Sequence, residues 1–362
     1  MGARLQVIII GAGRAGSELH LDAFRLIPDV KVIAICDQNL ERARGICDKK
    51  GVPNAYRSLD EALAHHKTEL VSICTPPQSH LELARRAMGA GAHVLMEKPI
   101  AMTAQEANEM WSYSQAKGLK LGVVHNYKFR PGVQRAIRMV KNGEIGDVLH
   151  VEKTWLSNGA KDRMVVNKDF WCHELVGGRW AETLPHHLYI PYQFLGPMRV
   201  SAVVVKDVHG RWPWLPGDEI LAVLESDRAT LTVRLSENAL QKEQHMLICG
   251  TKGILFGDYN SVMRLPVRTS GPVKQFINGT KGILGKPLRA VRKILKKAGS
   301  PSRETAPRPQ PKPGHLPVIE GFVNHLLRGA PEPVTWEEAY WTMKTTEEIG
   351  KAIEANLAHK RR

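Results

Sequence analysis

The sequence predicts an α/β chain in two parts: a doubly wound parallel sheet first, then an α+β domain with a large, mostly antiparallel open sheet. Three observations predict it. Short β-branched runs without polar alternation recur through the first third, separated by polar segments of helix length. A glycine cluster, GAGRAG at 11–16, follows the first of these runs. Beyond residue 124 the pattern changes to successive strand-like runs with short turns and little helix between them.

The first buried strand is Leu5 to Ile10, and Gly11, Gly13 and Gly16 then stand in G-x-G-x-x-G spacing. The first glycine permits a tight turn, the second lets backbone approach a pyrophosphate, and the third lets the following helix pack against the strand. Arg14 and Ala15 complete a cofactor-binding loop whose helix N–H groups face an anion. A second run, Val30 to Cys36, ends at Asp37, 21 residues beyond Gly16, where a carboxylate can accept from ribose hydroxyls. Asp37 repels a 2′-phosphate and Gln38 and Asn39 carry no charge, so NAD is the expected cofactor. Arg14, Arg42 and Arg44 leave NADP as the alternative.

Three further buried-strand runs follow, Leu70 to Thr75, His93 to Glu97 and Leu119 to Val124, with helices expected over Ser79 to Met88 and Thr103 to Lys117. The alternation means a Rossmann-type domain over residues 1–124. The second domain, 125–362, opens with the strand-like segments at 147–155, 199–208, 219–226, 229–236 and 245–257. Helical runs Val318 to Leu327 and Trp336 to Leu357 close the chain, the last packing back on the body.

The length, 362 residues, allows two domains with substantial cores. The first strand leaves no room for a signal peptide, and no apolar run approaches the roughly 20 residues of a membrane span. Cys36, Cys47, Cys74, Cys172 and Cys249 form no C-x-x-C pair, which fits a reducing cytoplasm. The His65-His66, His173-Glu174 and His186-His187 pairs lack metal-ligand spacing, so no metal is expected.

The motifs beyond the strand ends carry more information. CTPPQSH (74–80) and MEKPIAMT (96–103), with GAGRAG, Cys36-Asp37, HNYKFRPG (125–132), GEIGDV (143–148) and GTKGIL (250–255), occur in order. In this ordered set the chain resembles the glucose-fructose oxidoreductase and inositol dehydrogenase family (Gfo/Idh/MocA). The resemblance covers nearly the whole chain except 259 to about 313. It implies hydride transfer between NAD(P) and a sugar or cyclitol alcohol, and a homo-oligomer, dimer or tetramer, paired through the open sheets. A nucleotide-linked sugar of polysaccharide or glycoconjugate synthesis is the expected substrate. Free sugars or cyclitols, a retained-NAD lyase or hydrolase, and a non-catalytic NAD-bound sensor or scaffold are the alternatives.

The resemblance also implies site residues. Lys98 in EKP matches the lysine beside the reacting oxygen, and Glu97, Thr75, Pro76 and His80 fall on the cofactor side. In GGRWAETLPHHLYIPYQFLG (177–196), His186 takes the acid/base position, with Glu182 four residues before it on the same helix face to orient it. His187 is the second choice for that role. Asn126 and Tyr127 match a polar strip near nicotinamide and substrate. Among the tryptophans, Trp155, Trp171 and Trp180 are of the residue type that stacks on sugar rings.

The net charge of +15 is local. Residues 261–315 hold 13 Lys and Arg against the single acid Glu304, so nucleic-acid binding is not indicated. Within this Pro-containing basic insertion, placed at about 259–313, residues 285–299 read as an amphipathic helix. Leu288, Val291, Ile294 and Leu295 make its stripe and Arg292, Lys293, Lys296 and Lys297 its basic face, a pattern that fits peripheral contact with an anionic membrane.

Overall fold

β1 (Leu5–Ile10) runs into a π-helical turn (Ala15–His20) that continues as α1 (Leu21–Phe24). The structure, a computed structural model, describes residues 4–266 and 314–360. The remainder of the first half alternates as β2 (Val30–Cys36), α2 (Leu40–Lys50), β3 (Asn54–Tyr56), α3 (Leu59–His65), β4 (Leu70–Ile73), α4 (His80–Gly89), β5 (His93–Met96), α5 (Ala104–Ala116) and β6 (Leu121–Val123). Asn39, Ser58 and Thr103 cap α2, α3 and α5 by accepting backbone N–H groups three residues on. The six strands form one parallel sheet in the order β3-β2-β1-β4-β5-β6. Its order reverses beside β1, which places the ligand crevice at the carboxyl ends of β1 and β4. The short strand β3 had no signal in the sequence, since its three residues are too few to show a period.

The second half contains α6 (Pro131–Lys141), β7 (Val148–Asn158), α7 (Arg163–Val166), α8 (Arg179–Leu195), β8 (Arg199–Lys206), β9 (Glu219–Glu225), β10 (Thr230–Ser236), β11 (Asn238–Gly250), β12 (Gly253–Gly257) and β13 (Val262–Arg264). These strands make a seven-stranded sheet, β13-β12-β11-β7-β10-β9-β8, antiparallel except where β10 runs parallel to β7. One face is covered by α8 and packs Val151, Trp155, Leu231, Val233 and Leu235 against Trp180, Leu184 and Leu188. On the other, Val204 and its cross-strand partner Leu221 are exposed, so the sheet is open. α8 continues through Pro185 and Pro191, carrying Glu182 and His186 on one helix.

The last two helices, α9 (His315–Arg328) and α10 (Trp336–Lys360), return to the first sheet. Val318, Ile319, Phe322, Val323 and Met343 share a core with Val7, Val94 and Val124. Tyr259 and Val262, within the stretch read as an insertion, belong to the core of the second sheet. The amphipathic segment 285–299 lies outside the described residues. Among the described residues no helix is long and apolar enough to cross a membrane.

Candidate active site

The glycine cluster is a cradle open to a ligand. Gly11 turns at φ +97°, and a Cβ there would meet the Cys74 carbonyl group at 3.0 Å. A Cβ on Gly16 would lie 1.9 Å from the Gly11 oxygen, so only glycine lets the helix approach the end of β1. At Gly13 a Cβ would meet nothing within 4 Å, and no side chain caps the helix that follows. Open space against bare N–H groups at a helix start fits a pyrophosphate. Asp37 is anchored beside it, with Oδ2 accepting from the Ala12 N–H at 2.8 Å and Oδ1 from the Asn39 N–H at 2.9 Å. Arg42 lies 3.7 Å from the same carboxylate, while Arg14 and Arg44 pair with Glu18 and Glu41. The residues present therefore fit a dinucleotide with free ribose hydroxyls. Thr75, whose Oγ1 lies 2.7 Å from Ser79 Oγ, and Pro76 form the neighbouring turn after β4.

Lys98 follows β5 and reaches α8, where its Nζ donates to the Glu182 carbonyl oxygen at 3.0 Å and pairs with Glu182 Oε1. The other carboxylate oxygen accepts from Arg179 Nη1 at 2.8 Å, and Arg179 Nη2 continues to Asp162 Oδ2 at 2.8 Å. Charges thus alternate along a buried row: Lys98, Glu182, Arg179, Asp162. Burial alone would push the Glu182 carboxyl up, but Lys98 and Arg179 outweigh it and hold it at about 2. Removing one member of such a row leaves a buried charge uncompensated, at a cost of about 3–5 kcal/mol.

His186 lies on the same helix. Its Nδ1 is 2.6 Å from Tyr189 Oη, and its ring stacks on Tyr127 at 4.2 Å between centroids and 16° between planes. Burial, reinforced by the positive charge of Lys98, holds the imidazole well below its ordinary range, so the ring is neutral at pH 7. Tyr189 Oη also accepts the Tyr127 N–H at 3.1 Å, and the Tyr189 ring stacks on His125, whose Nδ1 lies 2.8 Å from Glu338 Oε1 on α10. His187, in contrast, is 1% exposed, faces Trp155 edge-on at 6.4 Å, and has no partner for Nδ1 among the described residues.

Lys98, Glu182, His186 and Tyr127 are therefore drawn together, with Asn126 preceding Tyr127 in the chain and its amide against His315, and three expectations change. Glu182 does not orient the imidazole: its oxygens are taken by Lys98, Arg179 and Thr183, and the hydroxyl of Tyr189 holds the ring instead. His80 does not reach the cofactor side, because it is fully buried with both ring nitrogens against the Ile100 and Thr75 carbonyls, where it braces the turn carrying Thr75. Trp180 is fully buried and donates its indole N–H to the Gly217 carbonyl, which leaves no ring face for a sugar. Trp155 is 6% exposed, between Arg179 and Lys242 at 5.6 and 5.8 Å, and Trp171 is packed with Phe170.

Several residues escaped the sequence reading. Arg179 and Tyr189 stand inside the 177–196 motif but at positions to which no role was given, and His20 and His315 lie outside the quoted motifs; all four brace site residues. Lys153 is also buried, with its Nζ 4.3 Å from the centre of the Tyr259 ring and no hydrogen-bond partner among the described residues. Its signal was present: in β7 it alternates with Val151 and Trp155 on the inward face.

A six-stranded parallel sheet with this cradle at its first crossover, joined to an open-sheet domain whose helix α8 receives Lys98, defines a dinucleotide-binding fold of two-domain type. Residues 5–125 match the family described as oxidoreductase family, NAD-binding Rossmann fold (GFO_IDH_MocA), and residues 133–256 match the GFO/IDH/MocA C-terminal domain. An uncharacterized oxidoreductase of Bacillus subtilis, YrbE, is 30% identical over 273 residues, 72% of this chain and 76% of that protein. D-glucoside 3-dehydrogenase of Escherichia coli is 32% identical over 144 residues, 40% of this chain. The match spans 41% of that enzyme's length, and the match to an uncharacterized oxidoreductase of Synechocystis spans 63% of its length, so the chain covers less than two thirds of these two relatives. The WlbA dehydrogenase from Bordetella pertussis, solved with NADH and UDP-GlcNAcA, shares the fold with a TM-score of 0.75 and 18% identity, over 98% of this chain and 97% of that one. The chain belongs to the GFO/IDH/MocA oxidoreductase family, and its N-terminal part is an NAD-binding Rossmann domain.

Proposed function

We propose that this protein is an NAD-dependent oxidoreductase acting on a secondary alcohol or ketone of a sugar, and that the sugar is nucleotide-linked, as in polysaccharide or glycoconjugate synthesis. The observation that carries the reading is the placement of Lys98, at the end of β5, against the helix that bears both Glu182 and a neutral His186. When bound in its cradle, NAD supplies the hydride acceptor. Lys98 offers positive charge to the substrate oxygen as it gains alkoxide character. His186, held through Nδ1, takes the hydroxyl proton at Nε2 during oxidation and returns it during reduction. Glu182 keeps Lys98 in place, and Asn126 and Tyr127 bind substrate hydroxyls beside it. Asp37 favours NAD over NADP. The nucleotide-linked class draws support from WlbA, which was solved with UDP-GlcNAcA, and the sugar class from the D-glucoside 3-dehydrogenase. Self-association would cover the outward face around Val204 and Leu221.

Following absorbance at 340 nm with NAD and panels of UDP-linked sugars, free sugars and cyclitols tests this. NADH should form with a UDP-linked sugar. Turnover only with free sugars or cyclitols would move the substrate class. No absorbance change in any panel, with NAD binding intact, would favour a retained-NAD lyase or hydrolase or a non-catalytic NAD-bound role.

A further inference from the structure

Behind Lys98 the structure contains a buried cluster that the proposed chemistry does not use. Glu97 Oε1 lies 3.0 Å from His20 Nε2 and 3.6 Å from His315 Nε2. Its Oε2 accepts the Lys98 N–H at 3.2 Å. His20 Nδ1 lies 2.7 Å from Ser72 Oγ, and His315 Nδ1 lies 3.5 Å from Asn126 Nδ2. All of these side chains are buried or nearly so, with His20 at 0%, Asn126 and His315 at 6%. Five separate pieces of chain meet here: the helix of the glycine cradle, β4, the end of β5, the turn after β6 that carries Asn126, and the first turn of α9.

The proton arrangement follows from the charge on Glu97. Burial opposes that charge, but the N–H donors of His20 and His315 outweigh it and keep the carboxyl well below the ordinary range. A carboxylate only accepts, so His20 presents Nε2–H to it at 3.0 Å; His315 turns Nε2 toward the same oxygen at 3.6 Å, and its Nδ1 faces the Asn126 Nδ2 donor, which places the ring proton on Nε2. In a neutral ring the other nitrogen then accepts. At His20 that acceptor takes the Ser72 hydroxyl. At His315 it takes an N–H of the Asn126 amide, which turns the Asn126 oxygen away from His315, where no protein group among the described residues bonds it. Thus the Glu97 charge just beyond β5 and the His315 ring beside it bear on which end of the Asn126 amide is left for a ligand.

The approach of α9 is built for this contact. Gly314 sits at φ +105°, and a Cβ there would lie 2.1 Å from the Asn126 carbonyl oxygen, so no other residue brings His315 in at this distance.

We propose that His315 is a positioning residue of this site: as a neutral Nε2–H tautomer it shares with His20 the task of holding Glu97 beside Lys98, and it fixes Asn126 as a hydrogen-bond acceptor toward the bound ligand. The ligand group it serves is an N–H or O–H donor. A ligand presenting only acceptors at that point is disfavoured. The inference rests on the reading of Asn126 and Lys98 as site residues, and its test can fail separately from that reading.

Long-range ¹H–¹⁵N correlation spectra of the full chain, labelled at histidine, report tautomers directly, with His20→Gln and His315→Gln assigning the signals. Nε2–H at both rings is expected. An imidazolium or an Nδ1–H tautomer at His315 overturns the proposal, because the Asn126 amide would then present its nitrogen. NAD binding, followed by tryptophan fluorescence, supplies a second readout. His315→Phe, which fills the space without a donor, should weaken NAD binding about tenfold, and His315→Gln, which keeps a donor toward Glu97, should stay within about threefold of the parent. Equal effects of Phe and Gln, or no effect of either, overturn it. If His315→Phe fails to fold, the parent spectrum and His315→Gln still decide. If the parent chain itself does not bind NAD, the oxidoreductase reading fails, while the tautomer result stands independently.

Discussion

Tyr189 Oη lies 2.6 Å from His186 Nδ1, so the imidazole in this site is anchored by a hydroxyl and not by a carboxylate. A carboxylate accepts only, which would fix one tautomer and favour the imidazolium. A hydroxyl oxygen can accept from Nδ1–H without adding a negative charge, which leaves the Nε2 lone pair of a neutral ring free to take a proton and, as imidazolium, to return it. That property suits a group asked to act in both directions of a reversible oxidation. Glu182, four residues before His186, serves Lys98 instead.

Tyr189→Phe should leave the His186 ring stacked on Tyr127 but without a polar anchor, and should also strip the Tyr127 N–H of its acceptor. We expect kcat to fall about 10- to 100-fold, with NAD affinity within about threefold and stability lowered by about 1–3 kcal/mol. Steady-state kinetics with NAD titrations and urea unfolding would measure all three. Unchanged kcat would remove the Tyr189 hydroxyl from the proton-transfer group.

His186→Asn should abolish hydride transfer while cofactor affinity stays nearly intact. His187→Asn should act through the fold, since His187 is buried against Trp155, and should lower the unfolding midpoint far more than it lowers kcat. Kinetics and thermal unfolding of the two variants side by side separate the roles, and the reverse ranking would transfer the acid/base assignment to His187.

Asp37→Ser tests the cofactor. The carboxylate holds the Ala12 N–H and stands where the ribose hydroxyls would lie, so serine should weaken NAD binding by about tenfold and narrow the gap to NADP. Parallel fluorescence titrations with the two dinucleotides decide it, and an unchanged ratio would take Asp37 out of the cofactor site.

How much of this was legible beforehand follows from the range of each signal. The strands of the first sheet and the glycine cradle are local patterns, and they appear where the apolar runs and glycine spacing put them, from Leu5–Ile10 to Leu121–Val123. Lys98 and His186 were marked by motifs on one strand end and one helix. Glu182, the partner of Lys98, stood in the same motif as His186, but the groups that brace the site from behind did not show, because they are set by tertiary approach: His20 meets Glu97 from 77 residues away and His125 meets Glu338 from 213. His80 and Trp180 misled for the opposite reason, since a motif position does not state whether a ring faces a cleft or a core.

Glu182→Gln leaves Lys98 and Arg179 without their shared carboxylate. The unfolded carboxyl titrates near 4.5 and the folded one at about 2, so its stabilisation is fully present above the first value and is lost as pH falls toward the second. The substitution should cost on the order of 3 kcal/mol at pH 7, with the gap to the parent narrowing between pH 5 and pH 2. Urea unfolding across that window checks it, and a gap independent of pH would show that the pair does not stabilise the fold through its charge.

Lys153→Met tests the buried amine from the other side. Burial drives the Lys153 ammonium down from 10.5 to about 7, so between those values the unfolded chain holds a proton that the folded chain has released, and stability must rise with pH there. At and below pH 7 the folded protein bears the cost of burying the charge, eased by the Tyr259 ring 4.3 Å away and by the negative charge of Asp258. Methionine is close in volume and suits the apolar neighbours in register on the same sheet, Val233 and Met246. We therefore expect Lys153→Met to be more stable than the parent by on the order of 2–4 kcal/mol at pH 7, with the difference shrinking toward pH 9.5. Unfolding midpoints at pH 6, 7.5 and 9.5 measure it. A variant less stable than the parent at every pH would mean that Lys153 is held by partners that compensate its burial, and the alkaline rise of the parent would then be absent as well.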